Sequence, residues 1–206
     1  DTAQHLQRAV NTLNADIAAF KLLALNWSRW DDVRDFIREP QSAIAKHFVS
    51  NYLINGTYVN TDLDVTVFLN MKGEVVFKKA VDATTKKEIS VSSSLLSQLK
   101  PGSPLLNHPD IHHEITGVLS LPEGHLELVS LPVSNSIGNG PINGYLIWGR
   151  YLTEDVVSRF SGITGTNISL LPFSAAEFSN LQKTALANDP FFVQPVNEDR
   201  VAGYGR

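Results

Sequence analysis

Four residues at the end of the first predicted helix have the side chains for ligand recognition: Trp27, Trp30, Asp31 and Asp32. On a continuous helix, Trp27, Trp30 and Asp31 fall at i, i+3 and i+4, on one face. Two indoles beside a carboxylate suit a cationic or amine ligand, through ring stacking and a charge-assisted hydrogen bond. The same residues equally suit an anchor for the helix, with the indoles buried and Asp31 accepting a bond from an N–H group. Arg150 closes an apolar strand and has the same duality. Its guanidinium can hold a ligand carboxylate in a bidentate fork, or pair with Asp31 or Asp32 and lock the helix to the sheet. Tyr52, Tyr58 and Tyr145, with the connector over residues 100–115, complete the set of residues expected around a ligand.

Other clusters carry less. His108, Asp110, His112, His113 and Glu114 are metal-compatible types, and His108 and His112 at i, i+4 on a helix would be a two-ligand spacing for zinc. Pro109 and the short polar context favour a solvated loop or helix end, so no metal or other cofactor is assigned. Gly138 to Gly144 has the wrong spacing for a dinucleotide loop. Pro141 removes an amide, and a strand follows where a helix is required. No Gly-x-Ser-x-Gly elbow and no Walker loop occurs, and no nucleophile–base pair can be read, so no catalytic residue is assigned and the chain is not expected to be an enzyme. Asn26, Asn55 and Asn167 head Asn-x-Ser/Thr triplets, read as chance.

These residues need elements to hold them. Leu6, Val10, Leu13, Ile17, Phe20, Ala24 and Trp27 repeat at 4-3-4-3 spacing, which predicts one long helix unbroken until Pro40. Its stripe serves a core, a dimer seam, or both, with the N-terminal half pairing between chains and the half near Trp27 and Trp30 packing inward. A second helix is predicted over Gln41 to Leu53, with Ile44, Ala45, Phe48, Val49 and Tyr52 apolar and Asn55-Gly56 ending it. The period then changes to that of strands. Val65 to Leu69 and Glu74 to Val81 form a hairpin around Asn70–Gly73. A short helix near Ser93 to Leu99 is closed by Pro101-Gly102. Ile115 to Leu121 and Leu126 to Val133 form a second hairpin, with a phase shift at Leu128/Val129 that means burial on both faces or a bulge. Ile142 to Leu152 is the most apolar strand and is expected at the centre. Thr153 caps a helix to Ser161. A strand over Asn167 to Leu171, a short helix after Ser174 and strands over Phe191 to Val196 and Val201 to Arg206 follow. The fold class is α+β: a long N-terminal helix on a central antiparallel sheet, with extra short C-terminal strands and helices.

The chain has 206 residues, 43% hydrophobic and 18% charged, as in a folded domain. One domain is expected over 1–206, with helices in 1–53, the central sheet in 54–152 and C-terminal elements in 153–206. The net charge is −4 without a basic cluster, which lacks the footprint of a nucleic-acid binder. There is no cysteine, so no disulfide and no thiolate metal site. The longest apolar run, Phe20 to Leu25, contains Lys21 and is too short to span a bilayer, which takes about 20 residues. Both ends read as cut from a longer chain, so membrane anchors are expected outside residues 1–206.

Three stretches resemble a known family. Asn26 to Asp32 is similar to the Trp-x-x-Trp-Asp signature of CHASE domains of the fourth type, and Val65 to Phe77 with Gly73 matches the strand pair that follows there. Gly140-Pro141-Ile142-Asn143-Gly144 through Gly149-Arg150 resembles its Gly-Pro-x-x-Gly, apolar run, Gly-Arg block, and Val201 to Tyr204 resembles its last strand. The resemblance implies a PAS-like or Cache-like sensor outside the cytoplasmic membrane (periplasmic or extracellular), held between two transmembrane helices. It also implies a histidine kinase, diguanylate cyclase or phosphodiesterase inside the cell. The expected partners are a small-molecule ligand of unknown identity and a second copy through the N-terminal helix. The alternative is a module that recognises a periplasmic partner protein.

Overall fold

The computed structural model describes residues 2–165 and 167–170 and the backbone of two later strands, 191–197 and 200–205. The chain divides into two compact units, Ile17–Tyr151 and a second made of Asp1–Asp16 with Leu152–Arg206. Helix α1 (Thr2–Ser28) passes from the second unit into the first.

The predicted helix stops at Ser28, well short of Pro40. Trp30 is extended (φ −93°, ψ 128°) and stands as the N-cap of α2 (Asp31–Arg38), whose positive first turn holds Asp31 and Asp32. The Trp30 carbonyl accepts from the N–H groups of Val33 and Arg34. Packing explains the break: the new direction brings Val33, Phe36 and Ile37 into the core that also takes Phe20 and Ala24. Helix α3 (Ala43–Tyr52) is capped by Ser42, whose hydroxyl accepts from Ala45 N–H. Asn55-Gly56 does not end this helix. Leu53 does, and Asn55–Thr61 forms α4, which puts Tyr58 in the core and ends on Asp62 in the left-handed region (φ 52°).

The sheet is six-stranded, in the order β3-β2-β1-β6-β5-β4, with every neighbouring pair antiparallel. Strands β1 (Val65–Asn70) and β2 (Val75–Val81) form the first hairpin, where Gly73 turns at φ +76°. Strand β3 is two residues, Glu88–Ile89, too short to carry a period in the sequence. Helix α5 (Ser93–Gln98) and a 3-10 turn (Pro104–Leu106) lead to β4 (Ile115–Leu121), β5 (Gly124–Val133) and β6 (Gly144–Tyr151). The register of β5 with both neighbours is regular and both of its faces are buried, so the phase shift at Leu128/Val129 is double burial and not a bulge. Strands β6 and β1 are central, as their apolar runs require.

Two cores lie on opposite faces of this sheet. On the helical face, Phe20, Ala24, Phe36, Phe48 and Tyr58 pack on Phe68, Leu146 and Trp148. On the other face, Leu95, Leu99 and Leu106 from the connector pack on Val65, Val67, Leu69, Leu128 and Ile147. In the second unit, Thr153 caps α6 (Glu154–Thr164), and Gly165 ends it at φ +66°. Asn167 to Leu170 do not form the expected strand; Ile168 N–H donates to Ser161 Oγ on the preceding helix instead. The end of that expected strand and the helix after Ser174 lie outside the described residues. Strands β7 (Phe191–Asn197) and β8 (Arg200–Gly205) pair antiparallel. No helix among the described residues is long and apolar enough to cross a membrane.

Candidate functional site

The central strand meets the long helix through aromatic rings. Trp148, fully buried on β6, lies 5.8 Å from Phe20 and 5.3 Å from Trp27. Trp30 meets Tyr52 edge-on at 4.6 Å, and both are half-buried at the rim of this cluster. The break after Ser28 separates Asp31 from the two indoles. Its carboxylate accepts from the Ser136 hydroxyl (2.7 Å), the Ser136 N–H (3.2 Å) and the Arg34 guanidinium (2.7 Å). The Ser136 side-chain bond, then its backbone bond, hold the Asp31 carboxyl below the usual carboxylate range.

Arg150 does not meet Asp31. Its Nε and Nη2 both donate to Glu127 Oε2, at 2.9 and 2.5 Å, and Nη1 lies 3.5 Å from Asp62. Glu127 is directly opposite Arg150 in the β5–β6 register, so the ladder itself sets this pair. The guanidinium also lies 4.8 Å from the Phe20 ring centre, over its face. Beside it, Asp64 is buried and accepts from Tyr151 N–H at 2.8 Å. Burial pushes its carboxyl up to about 6, against the lowering effect of that N–H bond.

Between β2 and β3 lies a cleft of about 490 Å³, lined by Lys78, Lys79, Glu88, Ile89, Ser90 and Val91. The Lys79 side chain is mostly covered. Its ammonium pairs with Glu88 at 2.9 Å and lies 5.6 Å from the Tyr58 ring centre. Thr66 on β1 pairs with Lys79 on one side and with Trp148 on the other. The hydroxyls of Tyr58 and Thr66 influence one another but fall short of hydrogen-bond geometry, and burial drives the Tyr58 phenol far above its ordinary range. Trp148 Nε1 is likewise buried without a hydrogen-bond acceptor among the described residues.

The opposite face holds Tyr145, because successive residues of β6 alternate. Tyr145 stacks on His108 at 5.6 Å. His108 is buried, with Nδ1 2.7 Å from His113 O and Nε2 3.0 Å from Ser130 Oγ. It lies in a loop, not on a helix with the exposed His112. No group of three metal-ligating side chains occurs among the described residues.

The six residues expected around one ligand therefore stand in five places: Trp30 with Tyr52, Asp31 with Ser136, Arg150 with Glu127, Tyr145 with His108, and Tyr58 behind Lys79 of the β2–β3 cleft. Lys79, Glu88 and Ser130 were not foreseen. For Lys79 and Glu88, opposite charges on neighbouring short strands show no periodic signal. Glu127 did leave one, as a single carboxylate in the apolar run Leu126 to Val133 that calls for a cation.

The model of the CHASE4 domain family matches residues 12–171. The chain is 29% identical over 177 residues to the methanogenesis regulatory histidine kinase FilI of Methanothrix harundinacea, covering 84% of this chain and 19% of that protein. It thus spans about a fifth of that relative's length. Its fold is similar to a domain of a Vibrio parahaemolyticus protein assigned to the sensory box/GGDEF family, with TM-score 0.53 and 14% identity over 77% of this chain and 61% of that one. It is equally similar to the periplasmic domain of Vibrio cholerae LuxQ, with TM-score 0.53 and 11% identity over 94% of this chain and 90% of that one. On the match over residues 12–171, the chain belongs to the CHASE4 domain family of extracytoplasmic sensor domains.

Proposed function

We propose that this domain senses a small anionic molecule, such as a carboxylate, in the cleft between β2 and β3. The receptor that carries it is held by flanking transmembrane helices. Its cytoplasmic part is a histidine kinase or a cyclic-di-GMP cyclase or phosphodiesterase, and the domain itself has no catalytic role. The supporting observation is the row Lys79–Thr66–Trp148 across three adjacent strands, which ends against Phe20 and Trp27 of α1. An anion that takes Lys79 from Glu88 changes the packing of Tyr58 and Thr66, and through Trp148 that of the helix. A ligand shifts the receptor only by its differential affinity for the two packings. A helix shift of about 1–2 Å is the scale on which such interfaces switch.

Thermal shift against panels of carboxylates and amines tests the reading. A carboxylate at about one hundred times its Kd should stabilise the domain by about 2.7 kcal/mol. The rise should be absent in Lys79→Met. A panel without any shift, or an equal shift in Lys79→Met, sinks the cleft as the site. The second reading, docking of a periplasmic partner protein, draws on three exposed residues: Ile44 on α3, Ile54 between the two helices and Val59 on α4. Protection of those helices from exchange by a partner, with no response to small molecules, would favour it.

A further inference from the structure

We infer that this domain also senses acid, and that the buried His108 releases the connector 103–114 from the sheet when it takes up a proton. The inference starts from the hydrogen bonds. Nδ1 of His108 faces a carbonyl, His113 O, at 2.7 Å, so Nδ1 carries a proton and donates. Nε2 faces Ser130 Oγ at 3.0 Å, and the same hydroxyl lies 2.6 Å from Leu105 O. With His108 neutral, Nε2 is an acceptor, and the single Ser130 proton serves either Nε2 or Leu105 O. With His108 charged, Nε2 donates to Ser130, Ser130 donates to Leu105 O, and all three contacts are bonded.

Charging therefore gains one hydrogen bond, but it places a cation in the core. Among the described residues, the groups that face it offer no counter-charge. From β6 the neighbour is the Tyr145 ring, stacked at 5.6 Å; from β5 it is the neutral Ser130; β4 has no titratable residue. Glu127 on β5 projects from the other face, toward Arg150. On the connector, the His113 ring lies 5.5 Å away, Asp110 and His112 are exposed, and Glu114 is paired with Lys21 of α1 at 2.5 Å. One added hydrogen bond is worth less than an uncompensated buried charge costs. Burial, the largest influence, accordingly holds His108 below the ordinary imidazole range, with the bond to His113 O opposing and the His113 charge adding to it.

The linkage has a definite sign. A histidine whose buried pKa lies below its free value binds a proton better when exposed, so acid favours the state in which His108 leaves its pocket. His108 anchors the segment from Ser103 to Glu114 to β5 and β6, and the Glu114–Lys21 pair ties the end of that segment to α1. Release of the connector therefore loosens a contact to the helix. The β2–β3 cleft takes no part, so this inference stands or falls apart from the anion reading.

Amide hydrogen exchange over residues 103–114, corrected for intrinsic rates, tests it between pH 7.5 and 5 without any added ligand. Protection should fall by about tenfold on acidification, with little change in β1 and β6. In His108→Gln, which stays neutral and keeps hydrogen-bonding groups, the fall should be lost. Unchanged or rising protection in the native chain, or an equal fall in His108→Gln, overturns the proposal. A nitrogen-detected NMR titration of His108 in the native chain decides the matter if the variant does not fold. Titration below the ordinary histidine value supports release, and titration at or above it overturns release.

Discussion

At the scale of single residues, Asp64 makes the sharpest claim. Its carboxyl is buried and pushed from 3.8 to about 6, first by burial and then by Asp62, against the Tyr151 N–H, Lys86 and Arg150. The folded state therefore binds this proton more tightly than the unfolded one. Its contribution to stability is complete below about pH 4 and is lost as the pH rises through about 6. Near neutrality the loss is at most about 3 kcal/mol. Asp64→Asn keeps an oxygen for the Tyr151 N–H without the charge. It should raise the urea midpoint at pH 7.5 and leave it nearly unchanged at pH 4; equal midpoints at pH 7.5 would refute the assignment. The candidate site was partly legible at this scale. Residue type marked Trp30, Tyr58 and Arg150 as worth attention, but partner choice was not readable. Arg150 takes Glu127 because the β5–β6 register places them opposite, and register is set by the whole sheet.

At the scale of elements, the alternation of Val65, Val67 and Leu69 and the capping residue Thr153 carried their elements from sequence to structure. Where the reading failed, packing overrode a local signal. No Gly or Pro interrupts the sequence between Ser28 and Pro40, yet the chain turns at Trp30 so that Phe36 can reach Phe68 at 5.4 Å. Asn55-Gly56 has the chemistry of a helix end, yet burial of Tyr58 recruits it into α4. Gly144, which begins β6, is fixed for a steric reason. A Cβ there would run into the Leu69 carbonyl and the Ile37 side chain, at the point where α2 meets the central strands. Gly144→Ala should therefore cost about 1–3 kcal/mol, the range for overpacking a filled core. The control, Gly117→Ala on the edge strand β4, has nothing within 4 Å of the added carbon and should be close to neutral. Equal chemical-denaturation midpoints for the two variants would remove the steric argument.

At the scale of the molecule, the long helix divides its apolar residues between two duties. Phe20 and Ala24 are spent on the core, while Leu22 and Leu23 are 59% and 45% exposed and Ala18 and Ala19 lie on the same outward side. Two copies of the receptor pairing along that side would cover them. These 206 residues have no cysteine, so within this domain Leu22→Cys adds a single thiol. In membranes holding the full receptor it should cross-link under mild oxidation, and Ala24→Cys, buried at 0% exposure, should not. Cross-linking at 24 without cross-linking at 22 would exclude this seam.

The two-sided sheet has one further consequence. Strands β1 and β6 are shared property: Phe68, Leu146 and Trp148 serve one interior, while Val67, Leu69 and Ile147 serve the other. A substitution that shifts either backbone must be accommodated above and below at once, whereas β3 and β4 at the rims have a free side. Divergence within such a lineage should therefore accumulate at the margins and spare the middle pair.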